Sequence, residues 1–222
     1  MVSAPGLLDH IQRQLEGLYD VRSPAQVSAF LIDRSSAESL GARVKAPEEV
    51  FLIEGDDGAD LGLYLSPALF ERLRGKDPAA RSGLALVTGE LPAFAAVAEG
   101  VSHVLYLLRC AEAGRQVSKL ELEVQAEVDK FAVSALHLWG RGLRAGVTEL
   151  CRVLFDRATL RRDLTAEERR RYRDAGAIGG HYARYLNERY VKPGRLDGFV
   201  RDLRETYRLL ASEKLRAFAS AG

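Results

Sequence analysis

The sequence has few of the residues that mark common catalytic and metal-binding modules. Its 222 residues include two cysteines, one tryptophan and four histidines. Cys110 and Cys151 form no C-x-x-C pair and no Cys/His spacing typical of zinc sites, so the sequence supports neither a zinc-binding module nor a disulfide framework. We expect both cysteines to be reduced thiols in or near the core.

The chain also lacks an excess of charge of either sign. Thirty-two Lys and Arg residues stand against 31 Asp and Glu residues, a net charge of +1, and this balance gives no reason to expect a nucleic-acid partner. The most basic segment, 157–173, mixes its arginines with acidic residues. Mixed charges of this kind predict a solvated pair of helices with salt bridges rather than a nucleic-acid-binding surface.

No stretch predicts a secretory signal or a membrane span. The N-terminal residues have no basic segment followed by a sustained apolar one. The longest apolar run, Leu91–Ala111, contains Glu99, His103 and Arg109, and charged side chains at mid-span are costly in hydrocarbon. We therefore expect a soluble cytoplasmic protein without a membrane partner.

The patterns that are present predict an α+β fold that is predominantly α. Residues 1–90 are predicted to form a small α+β region with helices and a small antiparallel sheet. This sheet includes a β-hairpin near 50–65, with Asp57-Gly58 in its tight turn. A third strand is predicted near 82–89, whereas residues 27–34 fit either a helix or a strand. Residues 91–222 predict a helical bundle, either as a second domain or continuous with the first part.

Start and stop signals divide the bundle into helices. Leu91–Ala113 predicts one helix that ends at Gly114, and Ser118 with Glu121 predicts a capping box at the start of the next. Because the connection between these two helices is short, we expect them to be antiparallel neighbours. Further helices are predicted at 143–160, 165–174, 180–191 and 196–218.

The first helix of the bundle carries a narrow polar face. At about 100° per residue its polar side chains fall in one sector, which comprises Glu99, Ser102, His103, Tyr106, Arg109 and Cys110. The apolar residues of the next helix divide into two groups, so we expect that helix to lie between two neighbours. One of its flanks carries Glu123, Glu127, Lys130 and Ser134.

Residues of the two helices that are equally far from the turn near Arg115 should lie side by side, because both helices rise by about 1.5 Å per residue. The predicted pairs are His103 with Glu127, Tyr106 with Glu123, Glu99 with Lys130, and Arg109 with Glu121 or Glu123. Each predicted pair is chemically complementary.

This polar face has two interpretations. In the first, the pairs form a buried structural ladder, since a buried polar group left unpaired costs about 1–3 kcal/mol. The protein is then a non-catalytic intracellular protein that acts through binding or assembly, with a protein partner or as a homo-oligomer. In the second, the face is the site of an acid–base enzyme or a metal-binding protein, because a histidine oriented by a glutamate serves either purpose.

The second interpretation assigns residues to roles. His103, Glu127 and Tyr106 are the candidate catalytic residues, with His103 as base and Glu127 as its orienter. The candidate ligands of a divalent metal ion are Glu99, His103, Glu123, Glu127 and His181. The patterns Glu-x-x-His and His-Glu-x-x-His are absent from the chain, and their absence counts against this second interpretation.

Overall fold

The computed structural model describes residues 4–42, 46–55, 58–73, 90–140, 142, 145–156, 160–161 and 163–221. Within this part the protein is predominantly helical with one small antiparallel sheet, which confirms the predicted fold class. The helices are α1 (Ala4–Tyr19), α2 (Arg34–Ser39), α3 (Pro67–Leu73), α4 (Leu91–Glu112), α5 (Lys119–Gly140), α6 (Ala145–Cys151), α7 (Ala166–Leu186), α8 (Leu196–Tyr207) and α9 (Ala211–Ser220), and the strands are β1 (Glu48–Gly55) and β2 (Gly58–Leu65). Single-turn π-helical segments follow α6 and α7, at Arg152–Asp156 and Asn187–Val191.

The two strands form the predicted β-hairpin. They pair antiparallel along their full length, with Gly55 opposite Gly58. Residues 56 and 57 of the predicted turn lie outside the described residues, as does the strand predicted near 82–89. The hairpin packs against α4, so its inner face is covered by the most apolar helix of the bundle.

Residues 27–34, which fitted either a helix or a strand, contain a short 3-10 helix at Val27–Phe30 followed by extended chain. Leu31 forms an isolated parallel bridge with Leu63 of β2, and the N–H of Ile32 donates to the carbonyl of Leu63 over 3.0 Å. The segment therefore lies along the edge of β2 that is not paired with β1. There it covers backbone groups of β2 that would otherwise be exposed.

Helices α4 and α5 are antiparallel neighbours, as predicted. The chain leaves α4 through Gly114, whose φ of +58° is favourable for a residue without a Cβ. The N–H groups of Gly114 and Arg115 donate to carbonyls in the last turn of α4, in a Schellman pattern. Ser118 accepts the N–H of Glu121 over 3.1 Å and caps α5. The Glu121 side chain is wholly buried and bonds elsewhere, so only half of the predicted capping box forms.

Helix α7 is continuous where the sequence predicted two separate helices. It begins at the predicted capping box of Thr165 and runs through the glycines at which we expected a break. Those glycines allow close packing: a Cβ on Gly179 would lie 2.6 Å from the Cβ of Glu127, and one on Gly180 would lie 2.9 Å from the ring of Phe155. The prediction of a break was wrong because the glycines serve contacts between elements rather than a turn.

The segment 196–218, predicted as one helix, is instead the pair α8 and α9. Leu210 between them has extended backbone, with φ −69° and ψ 159°. The break lets α9 fold back onto the bundle, where Phe218 stacks on Tyr182 with ring centroids 4.2 Å apart and Lys214 is wholly buried. The helical spacing of apolar residues continues across the break, so periodicity alone did not reveal it.

Helix α4 forms the centre of the core. One cluster of buried apolar side chains extends from Leu7 to Phe218 and includes residues on both sides of the division expected at residue 90; that division stays a prediction. By length and composition α4 is long and apolar enough to cross a membrane, but 78% of its most apolar window is buried inside the protein. Helix α5 packs against α4 on one side and α7 on the other, the position expected from its two apolar groups.

Candidate functional site

His103, in the middle of α4, lies between two carboxylates. Its Nδ1 is 3.8 Å from Oε1 of Glu48 in β1, and its Nε2 is 3.6 Å from Oε2 of Glu123 in α5. These are ion-pair distances, longer than hydrogen bonds. The His103 side chain is only 7% exposed, and Nε2 has no hydrogen-bond partner among the described residues. The ring is therefore aligned by two acids while one buried nitrogen remains unsatisfied.

Gly100, one turn before His103, brings the β-hairpin close to α4. A Cβ at this position would lie 2.9 Å from Cδ1 of Leu63 and 3.2 Å from Oε2 of Glu48. Both distances are shorter than ordinary van der Waals contact. A glycine here therefore allows the strand to place the Glu48 carboxylate beside the imidazole.

A second buried ion-pair group is centred on Lys130 of α5, which pairs with Glu99, one turn before His103 on α4. Lys130 Nζ donates to Oε2 of Glu99 and to Oε1 of Glu127, each over 3.0 Å, which confirms the predicted pairing of Glu99 with Lys130. Burial by itself lowers the pKa of Lys130, but Glu127 and Glu99 outweigh burial and raise that pKa well above its usual value. Lys130 is therefore charged and bridges the two helices.

Glu99, His103 and Glu123 together form a possible metal-ligand set. One donor atom from each lies within 4.8 Å of the other two. Two ligands that each bind one ion at about 2.1 Å with tetrahedral geometry are ~3.4 Å apart, close to the 3.6 Å between His103 and Glu123. The three side chains can thus reach one ion by small movements. Glu48 approaches the other ring nitrogen, where it can orient the imidazole.

The charges of this cluster are unbalanced. Four carboxylates stand against three basic groups, namely Glu48, Glu99, Glu123 and Glu127 against His103, Lys130 and Arg171. Burial lowers the pKa of His103, but Glu123, Glu48 and Glu99 outweigh it and raise the pKa to about 9. Burial raises the pKa of Glu48 to about 8, against the opposing effect of His103. Without a bound cation the cluster therefore retains protons on both groups at neutral pH.

A cleft of about 480 Å³ adjoins part of this cluster. His103, Glu48 and Glu123 lie in its wall together with Arg171 and Tyr172 of α7. Its volume is within the usual range for small-molecule sites, which is about 300–1,000 Å³. A small molecule in this cleft would therefore lie beside His103, Glu48 and Glu123.

Arg171 belongs to the basic segment that the sequence predicted to be solvated. In the structure its Nε lies 3.6 Å from Oε1 of Glu123, and its side chain is only 16% exposed. Arg161, in the same segment, pairs with Asp163 and also lines the cleft. The expectation of a wholly solvated segment was therefore wrong for Arg171, because α7 lies against α5 and turns this side of the segment inward.

Three of the residues predicted for the site have partners other than those expected. Glu127 bonds to Lys130 and not to His103, so it is not the orienter of the imidazole. Tyr106 donates to Oε1 of Glu121 over 2.6 Å, two residues before the predicted partner Glu123. His181 is exposed, with its Nε2 2.8 Å from the carbonyl oxygen of Ala221, so it does not complete a metal site. Arg109, expected beside Glu121 or Glu123, is also exposed.

A further buried polar network joins α4, α5 and α1. Ser102 donates to Oδ2 of Asp129 over 2.5 Å, and Tyr19 and Gln125 donate to Oδ1 of the same carboxylate. With the Tyr106–Glu121 and Glu99–Lys130 contacts, these bonds form a ladder of polar contacts between α4 and α5. The sequence predicted that Ser102 lies on the polar face of α4, but it did not predict Asp129 as its partner. Asp129 of α5 is bonded by side chains of two other helices, α1 and α4.

Both cysteines are free and buried, in agreement with the sequence prediction. Burial raises the pKa of both thiols, so neither is activated as a nucleophile. Comparison with protein-family models, with curated proteins and with solved structures finds no match to this chain. Its function must therefore be argued from the chemistry of its own residues.

Proposed function

We propose that this protein binds one divalent transition-metal ion through Glu99, His103 and Glu123 and acts as a metal-assisted acid–base enzyme on a small molecule held in the adjoining cleft. One observation carries the proposal: the unsatisfied Nε2 of His103 lies 3.6 Å from Glu123, in the wall of an open cleft of about 480 Å³. Nε2 forms no hydrogen bond among the described residues and faces Glu123 only at ion-pair distance, and a metal ion between the two side chains would bind both.

The charges of the cluster agree with a divalent ion. When His103 is neutral, as a metal ligand must be, four carboxylates face only Lys130 and Arg171, an excess of two negative charges. One imidazole nitrogen with carboxylate oxygens suits Zn²⁺, Mn²⁺ or Fe²⁺, whereas Cu⁺ prefers thiolate or thioether ligands. Neither Cys110 nor Cys151 belongs to the three-residue ligand set.

The surrounding residues have separate roles in this proposal. Glu48, whose Oε1 lies 3.8 Å from Nδ1 of His103, would close to a hydrogen bond with Nδ1 and direct Nε2 towards the ligand position, in the arrangement of a carboxylate–histidine–metal triad. Arg171 holds Glu123 by its other oxygen. Lys130 neutralises Glu127 and keeps Glu99 ionised. A bound ion supplies Lewis acidity and a water of lowered pKa, and the cleft places the substrate beside it.

Metal analysis of untagged protein tests the proposal. We expect one equivalent of Zn²⁺ or Mn²⁺ per chain by titration calorimetry and mass spectrometry of the metal content, and loss of that equivalent in His103→Gln and Glu123→Gln. Glu48→Gln should retain the site but weaken it by about 10–100-fold, as outer ligands of metal sites do.

His181→Gln is the matched control, because Nε2 of this histidine lies 2.8 Å from the carbonyl oxygen of Ala221 and the side chain is not a proposed ligand. It should bind metal like the wild type, and circular dichroism should show that all variants are folded. Unchanged metal content in folded His103→Gln, or a loss in His181→Gln equal to that in His103→Gln, would contradict the proposed ligand set.

The non-catalytic interpretation is a second candidate, favoured by two exposed apolar side chains of β1. Leu52 and Ile53 of β1 are 57% and 39% exposed, and exposed apolar side chains are common at protein–protein contacts. In this alternative the His103 cluster is part of the ladder, and the hairpin binds a protein partner or a second copy of the chain. Light scattering of Leu52→Lys against wild type tests the second-copy form: a dimer that dissociates in the variant supports it, and a monomeric wild type excludes it.

A further inference from the structure

A second cleft, of about 500 Å³, lies where the α4–α5 connection meets the α8–α9 connection. Ala113 and Gly114 form one side, and Leu209 and Leu210 form the other. None of its lining residues lines the first cleft. Its chemistry is therefore independent of the metal site proposed above.

All charged residues that line this second cleft are arginines. They are Arg109 and Arg115 from the α4–α5 hairpin and Arg208 from the end of α8. Among the residues that the structure describes, no carboxylate lines the cleft, although acidic and basic residues are almost equal in number in the whole chain. This local excess of positive charge favours an anion as the ligand.

Arg115 is held in place at the floor of the cleft. Its Nη1 donates to Oε1 of Glu121 over 2.7 Å, and its Nη2 donates to the hydroxyl of Tyr106 over 2.7 Å and to Sγ of Cys110 over 3.0 Å. The side chain remains 23% exposed. A guanidinium held by several bonds offers its free N–H groups to a ligand with little loss of conformational freedom.

The charges beneath the floor compensate one another. Lys214 Nζ is wholly buried and donates to the Tyr106 hydroxyl over 2.5 Å and to Oε1 of Gln125 over 2.9 Å. With Arg115 it provides two cations against the two buried carboxylates of Glu121 and Asp129. The charges of Arg109 and Arg208 are therefore not needed to neutralise the buried network.

Arg208 has backbone partners only. Its Nη2 donates to the carbonyl of Tyr19 over 3.4 Å, and its Nη1 donates to the carbonyl of Arg204 over 3.3 Å. In the part of the chain that the structure describes, neither Arg109 nor Arg208 forms an ion pair with a carboxylate. Both guanidinium groups are exposed at the cleft, where they can bind a carboxylate or phosphate in bidentate fashion.

The remaining wall of the cleft is apolar or aromatic. Val21, Leu209 and Leu210 contribute aliphatic surface, and Tyr207 presents its ring beside that of Tyr106, with centroids 5.5 Å apart. We infer that this cleft binds an organic anion, namely an aromatic or aliphatic group that carries a carboxylate or a phosphate. The arginines bind the anionic group, and the apolar wall covers the body of the ligand.

Phenyl phosphate is a suitable probe, because it combines a ring with a dianionic phosphate. The protein is first stripped of metal with EDTA and then dialysed free of it, because EDTA is itself a polycarboxylate. Titration calorimetry should then show saturable binding of one equivalent. Phenol should not bind measurably, and inorganic phosphate should bind more weakly than phenyl phosphate. Amide shifts of Arg115 and Leu209 in NMR spectra should locate the ligand in this cleft.

Arg109→Gln combined with Arg208→Gln removes two arginines that form no ion pair with a carboxylate among the described residues, and it leaves the buried network intact. We expect its affinity for phenyl phosphate to fall at least ~10-fold, since two charge-assisted contacts are lost. The matched control combines Arg201→Gln with Arg216→Gln, two exposed arginines of α8 and α9 outside the cleft.

That control has the same net charge as the cleft variant and should bind like the wild type. Equal losses in the two double variants, full affinity in the cleft variant, or no wild-type binding at millimolar probe would overturn the inference. Equal affinity for inorganic and phenyl phosphate would overturn the role of the apolar wall.

Discussion

The close contact between α5 and α7 at Gly179 can be tested with a pair of alanine substitutions. A Cβ at Gly179 would lie 2.6 Å from the Cβ of Glu127, whereas carbon atoms in ordinary contact are about 3.5–4.0 Å apart. Both atoms are attached directly to helix backbone, so neither can rotate away. Gly179→Ala must therefore separate the two helices by roughly 1 Å. Overpacking of this kind costs about 1–3 kcal/mol.

Gly176→Ala provides the matched comparison on the same helix. A Cβ there has no atom within 4 Å, so only the helix propensity changes, and alanine in place of glycine stabilises a helix by about 0.5–1 kcal/mol. We expect Gly176→Ala to raise the free energy of unfolding by that amount. Gly179→Ala receives the same gain but should be destabilised overall by about 1–2 kcal/mol, once overpacking is included.

Urea unfolding followed by far-ultraviolet circular dichroism measures both values, and the slope of the transition shows whether the two variants expose similar surface. Equal stabilisation of the two variants would refute the close contact between Gly179 and Glu127. That result would mean that α7 does not approach α5 at Gly179, and the inward position of Arg171 would lose its structural basis.

Two further predictions concern the buried charges. The pKa of His103 in the metal-free protein is raised from 6.5 to about 9, so its stabilising contribution is present below pH 6.5 and is lost as the pH rises to 9. Relative to His103→Gln, the free energy of unfolding in EDTA should fall as the pH rises from 6 to 9, and parallel pH profiles would contradict this. Lys130→Met leaves Glu99 and Glu127 buried without their cation and should destabilise the protein by about 3–5 kcal/mol in urea unfolding. A loss below ~1 kcal/mol would show that these carboxylates are solvated in solution.

The position of the candidate site along α4 could be predicted because only a helix places Glu99, Ser102, His103 and Tyr106 on one face. The short connection then indicated the antiparallel partner. The pairing was correct for Glu99 with Lys130 but one turn off for His103, which lies beside Glu123 rather than Glu127.

The difference arises from the rotation of α5 about its axis. The number of residues from the turn gives the position of a side chain along the helix axis. It does not give the rotation of α5 about that axis. The Cβ of Glu127 lies against Gly179 of α7, while Glu123 lies between His103 and Arg171. The contact with α7 thus determines which glutamate meets the imidazole.

Glu48, Arg171 and Asp129 were missed for a related reason. Glu48 is one of two adjacent glutamates at the start of β1, and its place beside His103 depends on how the hairpin packs over Gly100. Arg171 is one arginine among many in a segment of mixed charge. Local patterns do not identify which member of such a group is buried, since burial is decided by elements distant in the chain.

The sequence by itself determined the helix-rich fold class, the hairpin, the α4–α5 pair and the polar face of α4, because backbone propensity, capping and hydrophobic spacing act over a few residues. Tertiary structure alone decided the continuity of α7, the return of α9, the partners of His103 and the two clefts. Those features depend on the rotation and close approach of elements far apart in the chain, and in particular on Gly100 and Gly179, where the absence of a Cβ allows contact.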